Sequence, residues 1–78
     1  MEAPMICTIN MEKTGNRIRE LRQQCGYTVK DLQKEMGLSS FQAIYKWQRG
    51  EALPSVDNLV ILAGLFQVRI DQIIIKNE

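Results

Sequence analysis

The sequence predicts an all-α domain of five short helices, and three observations lead to this fold class. Apolar residues recur at helical spacing in successive blocks, capping residues and glycines separate the blocks, and no segment alternates strongly enough to indicate a strand. The chain has 78 residues, which is room for one domain. Near the N-terminus only the run MICTI is a candidate for extended structure. We therefore expect an arm over residues 1–13, extended or disordered, and a helical domain over residues 14–78.

The first predicted helix begins at Thr14, the expected N-cap, and stops before Gly26. Its core side carries three residues at helical spacing: Ile18, Leu21 and Cys25. The arginines at positions 17, 19 and 22 lie on its other faces. We expect Cys7 and Cys25 to be reduced thiols, with Cys25 in the core, because two cysteines so far apart do not make a disulfide framework.

The next two predicted helices are joined by a short turn. The second helix opens with TVKD at residues 28–31, a capping box in which the threonine hydroxyl and the aspartate carboxylate bond to free backbone amides. Its core side is Leu32 and Met36, and Gly37 ends it. SSFQ at residues 39–42 offers a second capping box, which opens the third helix. Two short helices joined around a glycine are the arrangement of a helix-turn-helix.

The fourth predicted helix is capped by Ser55 after Pro54. One of its faces carries four apolar residues: Leu59, Leu62, Ala63 and Phe66. Other faces add three more: Val60, Ile61 and Leu65. A helix this apolar is either central in the fold or covered by a second chain. A last short helix is expected over residues 70–75.

Composition and charge exclude several classes of function. The chain has no histidine and no serine–lysine, paired-carboxylate or glycine-rich phosphate pattern, so we expect no enzyme activity, no metal and no cofactor. The net charge is only +1, yet residues 15–49 hold seven basic and three acidic side chains, whereas residues 50–78 hold two basic and four acidic ones. The first half is therefore the part suited to meet an anion.

The sequence contains no signal for a membrane or for secretion. No apolar run approaches the ~20 residues that span a bilayer. The first dozen residues contain neither lysine nor arginine, unlike the basic start of a signal peptide. We expect a cytoplasmic protein with no membrane partner.

The third predicted helix has two different faces. A rotation of roughly 100° per residue places four residues on one arc: Ala43, Ile44, Trp47 and Gln48. The opposite arc carries polar groups: Gln42, Tyr45, Lys46 and Arg49. We expect Ile44 and Trp47 to anchor the core, whereas Phe41, at the boundary, either seals the core edge or touches a partner. Glutamine can pair with adenine and lysine can donate to guanine in a major groove, although a solvated face has the same composition.

Five stretches of the chain carry a family resemblance. They are, in order, RIRELRQQCGYTVKDL, MGLSS, AIYKWQRG, LPSVDNLVILAGLF and VRIDQI. Over about residues 14–75 the chain therefore resembles the Cro/lambda-repressor-like helix-turn-helix family, also called Xre. Residues 42–62 are similar to small regulators of Gram-positive bacteria and their mobile elements, which implies a bacterial or phage origin. The resemblance implies a compact, five-helix, lambda-repressor-like domain whose second and third helices bind double-stranded DNA.

The resemblance also implies which residues meet DNA. The base-reading residues would be Gln42, Tyr45 and Lys46, with Ser40 or Phe41 just ahead of them. Phosphate contacts would come from Thr28, Lys30 and Arg49. The chain departs from the family at Gln33, where a small residue is usual, and in one extra residue between Gly37 and Ile44. Which of Ser40, Phe41 and Gln42 leads into the groove is therefore open.

Members of this family usually bind palindromic sites as two-fold dimers, so the resemblance implies a homodimeric regulator of transcription, of repressor type. Our candidates for the dimer contact are Val60, Ile73, Ile74 and Ile75. The N-terminal arm, with Ile6 and Ile9, could cross to the partner or dock on its own domain. The alternative function is a protein-interaction module of antitoxin or anti-repressor type, which the near-neutral charge and the aromatic groups of Phe41 and Tyr45 favour.

Overall fold

The computed structural model describes residues 8–77, which contain four α-helices and one short 3-10 turn. The helices are α1 (Met11–Gln24), α2 (Val29–Met36), α3 (Gln42–Gln48) and α4 (Val56–Phe66), and the 3-10 turn covers Ile70–Gln72. Within residues 8–77 there is no β-strand, and the only ladder pairing is an isolated antiparallel bridge between Ile9 and Lys76. The all-helical prediction is confirmed, whereas the fifth helix expected over residues 70–75 is wrong.

The helix α1 begins earlier than its sequence predicts. Asn10 is the N-cap, and its side-chain oxygen accepts a hydrogen bond of 2.9 Å from the Lys13 amide. Thr14 is fully buried inside the helix, so its assignment as the N-cap is wrong. Its hydroxyl oxygen instead accepts a hydrogen bond of 2.9 Å from the Ile75 amide. Residues 11–13, which we had assigned to the arm, therefore belong to the helix.

The C-terminal segment pairs with the start of the chain, and this pairing replaces the expected fifth helix. The Asn10 amide donates to the Ile75 carbonyl at 2.7 Å, and the Asn77 amide donates to the Thr8 carbonyl at the same distance. Backbone groups used in this way are not available to a helix that continues past the 3-10 turn. Residues 1–7, with Ile6, Cys7 and most of MICTI, lie outside the described range.

The helix α2 begins and ends as predicted. The Thr28 hydroxyl accepts from the Asp31 amide and the Asp31 carboxylate accepts from the Thr28 amide, both at 3.0 Å, which completes the capping box. Gly37 ends α2 with φ of 68°, in the left-handed region that favours glycine. The side chain of Gln33, the residue that departs from the family pattern, donates to the Leu38 carbonyl at 3.2 Å. It thus fixes the turn that follows.

The helix α4 also begins as predicted, because the Ser55 hydroxyl accepts a hydrogen bond of 3.2 Å from the Asn58 amide. Its predicted apolar face packs inward, with Leu62 and Phe66 buried and Leu59 and Ala63 half-buried. None of the helices in residues 8–77 combines the length and the apolar character needed to cross a membrane.

One hydrophobic core joins all the elements. Its buried apolar members are Ile18, Leu21, Leu32, Met36, Ile44, Trp47, Leu62, Phe66 and Ile73. Cys25 is exposed, so its expected place in the core is wrong. It occupies the C-cap position of α1, where the chain turns outward towards Gly26.

The helices α1 and α3 touch at Gly15. A Cβ atom at this position would lie 2.5 Å from the Trp47 carbonyl oxygen and 2.6 Å from the Gln48 carbonyl oxygen. Only a glycine allows the two backbones to come this close. The helix α1 therefore supports the last turn of α3 directly, and it fixes the position of the outer face of α3.

Candidate functional site

The two faces of α3 separate as the sequence predicts. On the inner face Ile44 and Trp47 are buried, and Ala43 and Gln48 are half-buried. The outer face carries four exposed residues: Gln42, Tyr45, Lys46 and Arg49. Trp47 is thus a core anchor, as predicted. Because the inner face is fixed in the core, the outer side chains project from a rigid support.

The start of α3 differs from the prediction. The Ser40 hydroxyl accepts from the Gln42 amide at 3.0 Å, and the N-cap residue Phe41 makes no side-chain capping bond. The capping box expected over residues 39–42 does not form, because the chain enters the helix later than SSFQ suggests. As a result the Gln42 side chain is exposed and is not used as a cap.

Phe41 lies on the outer side of α3. Its side chain is 42% exposed and packs edge-to-face on Tyr45, with ring centroids 5.7 Å apart. Tyr45 is itself 40% exposed. Phe41 is therefore not a member of the buried core, and its contact with a partner stays a prediction. We call the exposed surface formed by Ser40, Phe41, Gln42, Tyr45 and Lys46 the α3 face.

Thr28 and Lys30 stand exposed at the start of α2, where backbone amides point outward. The Thr28 hydroxyl oxygen is used by the capping box, which leaves its own proton to donate. The backbone hydrogen bond from Thr28 lowers the pKa of the Asp31 carboxyl, and the Thr28 side chain lowers it further. The aspartate is therefore ionised at neutral pH, and its charge partly offsets the positive end of α2.

Arg49 is exposed just past the end of α3, but its guanidinium pairs with the Glu51 carboxylate. Sequence reasoning missed this partner. The sequence did contain a signal for this ion pair, because Arg49 and Glu51 are opposite charges only two positions apart, on either side of Gly50.

A cleft of about 320 Å³ separates α1 from α3 beside the α3 face. Arg19 and Arg22 line it from α1 and Val29 lines it from α2. On the other side it is lined by Tyr45 and Gln48 of α3 and by Arg49, which follows α3. Sequence reasoning placed the two α1 arginines on faces of the helix other than its core side and counted them only among the basic residues of the first half of the chain. Their spacing of three residues, which puts them on one side of a helix, was the signal that could have paired them.

Arg22 is held in place at the wall of this cleft. Its Nε donates to the Gln48 side-chain oxygen at 2.9 Å, and its Nη1 donates to the Tyr27 carbonyl at 2.7 Å. Both acceptors are uncharged, so these bonds orient the guanidinium without neutralising its positive charge.

The candidate dimer residues are in three different environments. Val60 is 56% exposed on α4, beside Val56, which is 73% exposed. Ile74 and Ile75 are half-buried. Ile73 is fully buried in the core of its own chain, so its selection as an interface residue is wrong. Its side chain completes the core because the C-terminal segment folds back along α1.

Comparison with known proteins identifies a sequence family. A helix-turn-helix family model matches residues 18–73. The chain is 33% identical over 52 residues to a protein of Pyrococcus furiosus named as an HTH-type transcriptional regulatory protein, covering 67% of this chain and 16% of that one. It is 30% identical over 64 residues to the HTH-type transcriptional regulator ImmR of Bacillus subtilis, covering 82% of this chain and 50% of that one. The chain thus spans half the length or less of these curated relatives.

Two solved structures share the fold. The restriction-modification controller protein C.AhdI from Aeromonas hydrophila superposes with a TM-score of 0.71 at 27% identity, covering 81% of this chain and 94% of that one. The DNA-binding domain of BldD superposes with a TM-score of 0.69, covering 83% and 93% of the two chains. Its 18% identity supports the fold alone.

Proposed function

Because this chain belongs to the Xre-type helix-turn-helix family, as its sequence predicted, we propose that it binds double-stranded DNA sequence-specifically and regulates transcription, as a repressor. The observation that carries the proposal is the division of α3 into a buried arc and an exposed polar arc. A short helix held in this way can enter a major groove without changing its packing on the core. We assign the chain no catalytic reaction.

The α3 face is the base-reading surface in this proposal. The Gln42 side chain is exposed and not used as a cap, so its amide can make the paired contact that adenine accepts. Lys46 lies one turn further along and can donate to guanine acceptors. Tyr45, Ser40 and Phe41 complete the surface. The rings of Phe41 and Tyr45 pack on each other and together form an apolar surface, which suits contact with a thymine methyl group.

Phosphate contacts on either side of the groove come from Thr28, Lys30 and Arg49. The hydroxyl proton of Thr28 and the ammonium of Lys30 lie at the start of α2, and both can donate to a phosphate. Arg49 must exchange Glu51 for a phosphate when it contacts DNA.

A second copy of the chain would pack on the exposed side of α4. Val56 and Val60 lie one turn apart there and expose apolar surface. Gly64, one turn further on, faces open space, so no contact within the chain requires a glycine at that position. Small residues allow helices to approach closely, and a two-fold pairing would use the same face of both copies. Ile74 and Ile75, which are half-buried, remain candidates for the dimer contact, and the expected DNA site is a palindrome.

The names of the relatives agree with this proposal. The Bacillus subtilis relative is a transcriptional regulator, and the structure at 27% identity is a restriction-modification controller protein. The chain covers at most half of the length of the curated relatives. The similarity therefore supports a DNA-binding role for this domain and does not extend to the other parts of those proteins.

The proposal is tested by selecting bound duplexes from a random-sequence pool and then measuring the affinity of variants for the enriched site. Lys46→Ala should weaken binding by about 1–3 kcal/mol and relax the choice of base at one position. Lys13→Ala removes the same charge and is the matched control, because Lys13 is exposed and points roughly 200° around α1 from the contact at Gly15. Equal losses for the two variants on every sequence would contradict base reading by Lys46.

A protein-interaction module is the second candidate, and the exposed aromatic pair of Phe41 and Tyr45 favours it. The response to salt separates the two functions. Binding to DNA phosphates weakens by about 0.9 log unit per log unit of salt for each contact. Binding to a protein through the aromatic pair would be nearly independent of salt. If no duplex is enriched while the protein stays folded, the second candidate replaces the first.

A further inference from the structure

We propose that a groove between α1 and the C-terminal segment binds an extended, acidic segment of a partner protein, which adds as a strand to the open edge of residues 74–77. This inference goes beyond DNA binding, because the groove lies on the opposite side of α1 from α3. Lys13 and Arg17 line the groove, and each lies roughly 200° around α1 from Gly15, the residue that touches α3. A duplex on the α3 face therefore leaves the groove open.

The groove consists of two cavities of about 410 Å³ and about 260 Å³. They share Lys13 and Ile75 in their linings, so they adjoin. The start and middle of α1 form one wall, and residues 74–77 form the other. The larger cavity falls within the ~300–1,000 Å³ of sites that bury small molecules, so it has room for a few residues of an extended peptide.

The C-terminal segment has one paired edge and one open edge. On the paired edge the Ile75 carbonyl accepts from the Asn10 amide and the Asn77 amide donates to the Thr8 carbonyl. Successive residues of an extended segment direct their backbone groups to opposite sides, so the N–H and C=O groups of Lys76 point to the other edge. Within residues 8–77 neither of these groups has a backbone partner, and neither does the Ile74 carbonyl. An edge of this kind can accept a further strand.

The described residues that line the groove carry more positive than negative charge. Their charged members are three cations and one carboxylate: Lys13, Arg17, Lys76 and Glu20. The carboxylate pairs with Arg17, whereas the two lysines make no ion pair within residues 8–77. The pKa of the Asp71 carboxyl is lowered chiefly by its hydrogen bond to Arg69 and least by Lys76, so that carboxylate is engaged elsewhere. The two lysines therefore favour an anionic occupant.

Backbone and charge together favour an acidic strand over other occupants. Nucleic-acid phosphates could meet the lysines, but their oxygens only accept, so they could not bond to the outward carbonyls of Ile74 and Lys76. A second copy that paired through the same edge, centred on Lys76, would place two lysines opposite each other, and like charges there are destabilising. A lysine on an open edge also hinders pairing with neutral or basic strands. Glutamate or aspartate in the added strand complements both lysines. In this proposal Ile74 and Ile75 meet the partner protein, and the dimer contact rests on α4.

The experiment titrates the isotope-labelled chain with short peptides that have blocked ends and follows the amide signals by NMR. The probe alternates glutamate and valine. One control peptide has lysine in place of every glutamate, and the other carries an N-methyl group on every residue, which removes the donors that pair with an edge. We expect only the glutamate probe to shift the signals of Lys13 and residues 74–77 and to slow hydrogen exchange at the Lys76 amide. Equal shifts with either control peptide, or no shift at millimolar probe, would overturn the proposal.

Substitutions in the chain separate the charge from the backbone edge. Lys76→Gln and Lys13→Gln remove one charge each and should weaken probe binding by about 1.5- to 5-fold, as expected for an exposed ion pair. Lys34→Gln is the matched control, because Lys34 is exposed on α2 and lines neither cavity. Lys76→Pro also removes the outward N–H, which makes no bond within residues 8–77, so it should bind more weakly than Lys76→Gln. If Lys76→Pro melts like the wild type and binds as tightly as Lys76→Gln, strand addition is wrong.

The same signals identify the other occupants. Protection of the Lys76 amide that grows with protein concentration, without peptide, would assign the edge to a second copy. Shifts of residues 74–77 on addition of duplex DNA would assign the groove to nucleic acid. Either result overturns the proposal. Failure of the groove leaves DNA binding by the α3 face untouched, and a chain that binds no duplex can still bind the peptide, so the two proposals fail separately.

Discussion

Gly15→Ala tests whether α1 supports α3 by direct backbone contact. In an ordinary helix interior this change stabilises a protein by roughly 0.5–1 kcal/mol, because alanine is the better helix former. At Gly15 the new Cβ would lie 2.5 Å from the Trp47 carbonyl oxygen, about 0.9 Å short of the 3.4 Å at which ordinary contact begins. Main-chain oxygens cannot rotate away, so α3 must move. Overpacking of this kind costs about 1–3 kcal/mol, and we expect the upper end of that range.

The chain contains a matched control for this substitution. Gly64 lies inside α4, and a Cβ there would meet nothing within 4 Å. Gly64→Ala should therefore show the ordinary gain of roughly 0.5–1 kcal/mol. The same chemical change is thus expected to have opposite signs at two helical positions. Because Gly64 lies on the proposed dimer side of α4, the measurements are made at two protein concentrations.

Thermal unfolding followed by circular dichroism provides the assay. After the gain in helix propensity, Gly15→Ala should lose about 2 kcal/mol, and a domain of this size loses roughly 4–8 °C in Tm per kcal/mol. Gly64→Ala should melt above the wild type. In amide NMR spectra, the shifts caused by Gly15→Ala should extend to Tyr45 and Lys46 as α3 moves. A Gly15→Ala variant as stable as the wild type, with unchanged α3 signals, would refute the close contact.

Three further predictions concern the core, the α2 cap and the DNA contact. Trp47→Ala should cost about 3–5 kcal/mol through the cavity it leaves, and an unchanged denaturant midpoint would show that Trp47 is exposed. The pKa of Asp31 is lowered from its ordinary value of 3.8, so its contribution to stability is complete above that pH and is lost as the pH falls through the lower folded value. Urea midpoints at pH 7 and pH 3 should therefore differ less in Asp31→Asn than in wild type, and equal differences would contradict this role. Glu51→Gln should strengthen binding to duplex DNA because it releases Arg49, and unchanged affinity in filter binding at low salt would show that Arg49 makes no phosphate contact.

Features that depend on neighbouring residues could be predicted from the sequence. The capping box at residues 28–31, the glycine end of α2 and the Ser55 cap each involve groups three or four residues apart. Helical rotation likewise placed Trp47 on the buried side of α3 and Lys46 on the exposed side. Short-range geometry of this kind is the same in any protein, so the residue types alone indicate it.

Features that depend on distant segments could not be predicted. Threonine is a residue type favoured at helix N-caps, but the hydroxyl of Thr14 accepts a hydrogen bond from the Ile75 backbone amide, 61 positions away. The same pairing draws Ile73 into the core and stops the chain from continuing as a fifth helix. In the candidate site, the bond from Arg22 to Gln48 spans 26 positions, so the cleft was not visible in either helix alone. No local pattern specifies which distant partner a polar group will find.

The pairing of the first and last described residues has a consequence for protein engineering. Thr8 and Asn77 are hydrogen-bonded neighbours, so a few glycine and serine residues would join residue 77 to residue 8. The resulting circular protein would keep every contact of residues 8–77. Its unfolded state would have fewer conformations available, because its ends could no longer separate. Head-to-tail cyclisation should therefore raise stability while leaving the α3 face, on another part of the surface, unchanged.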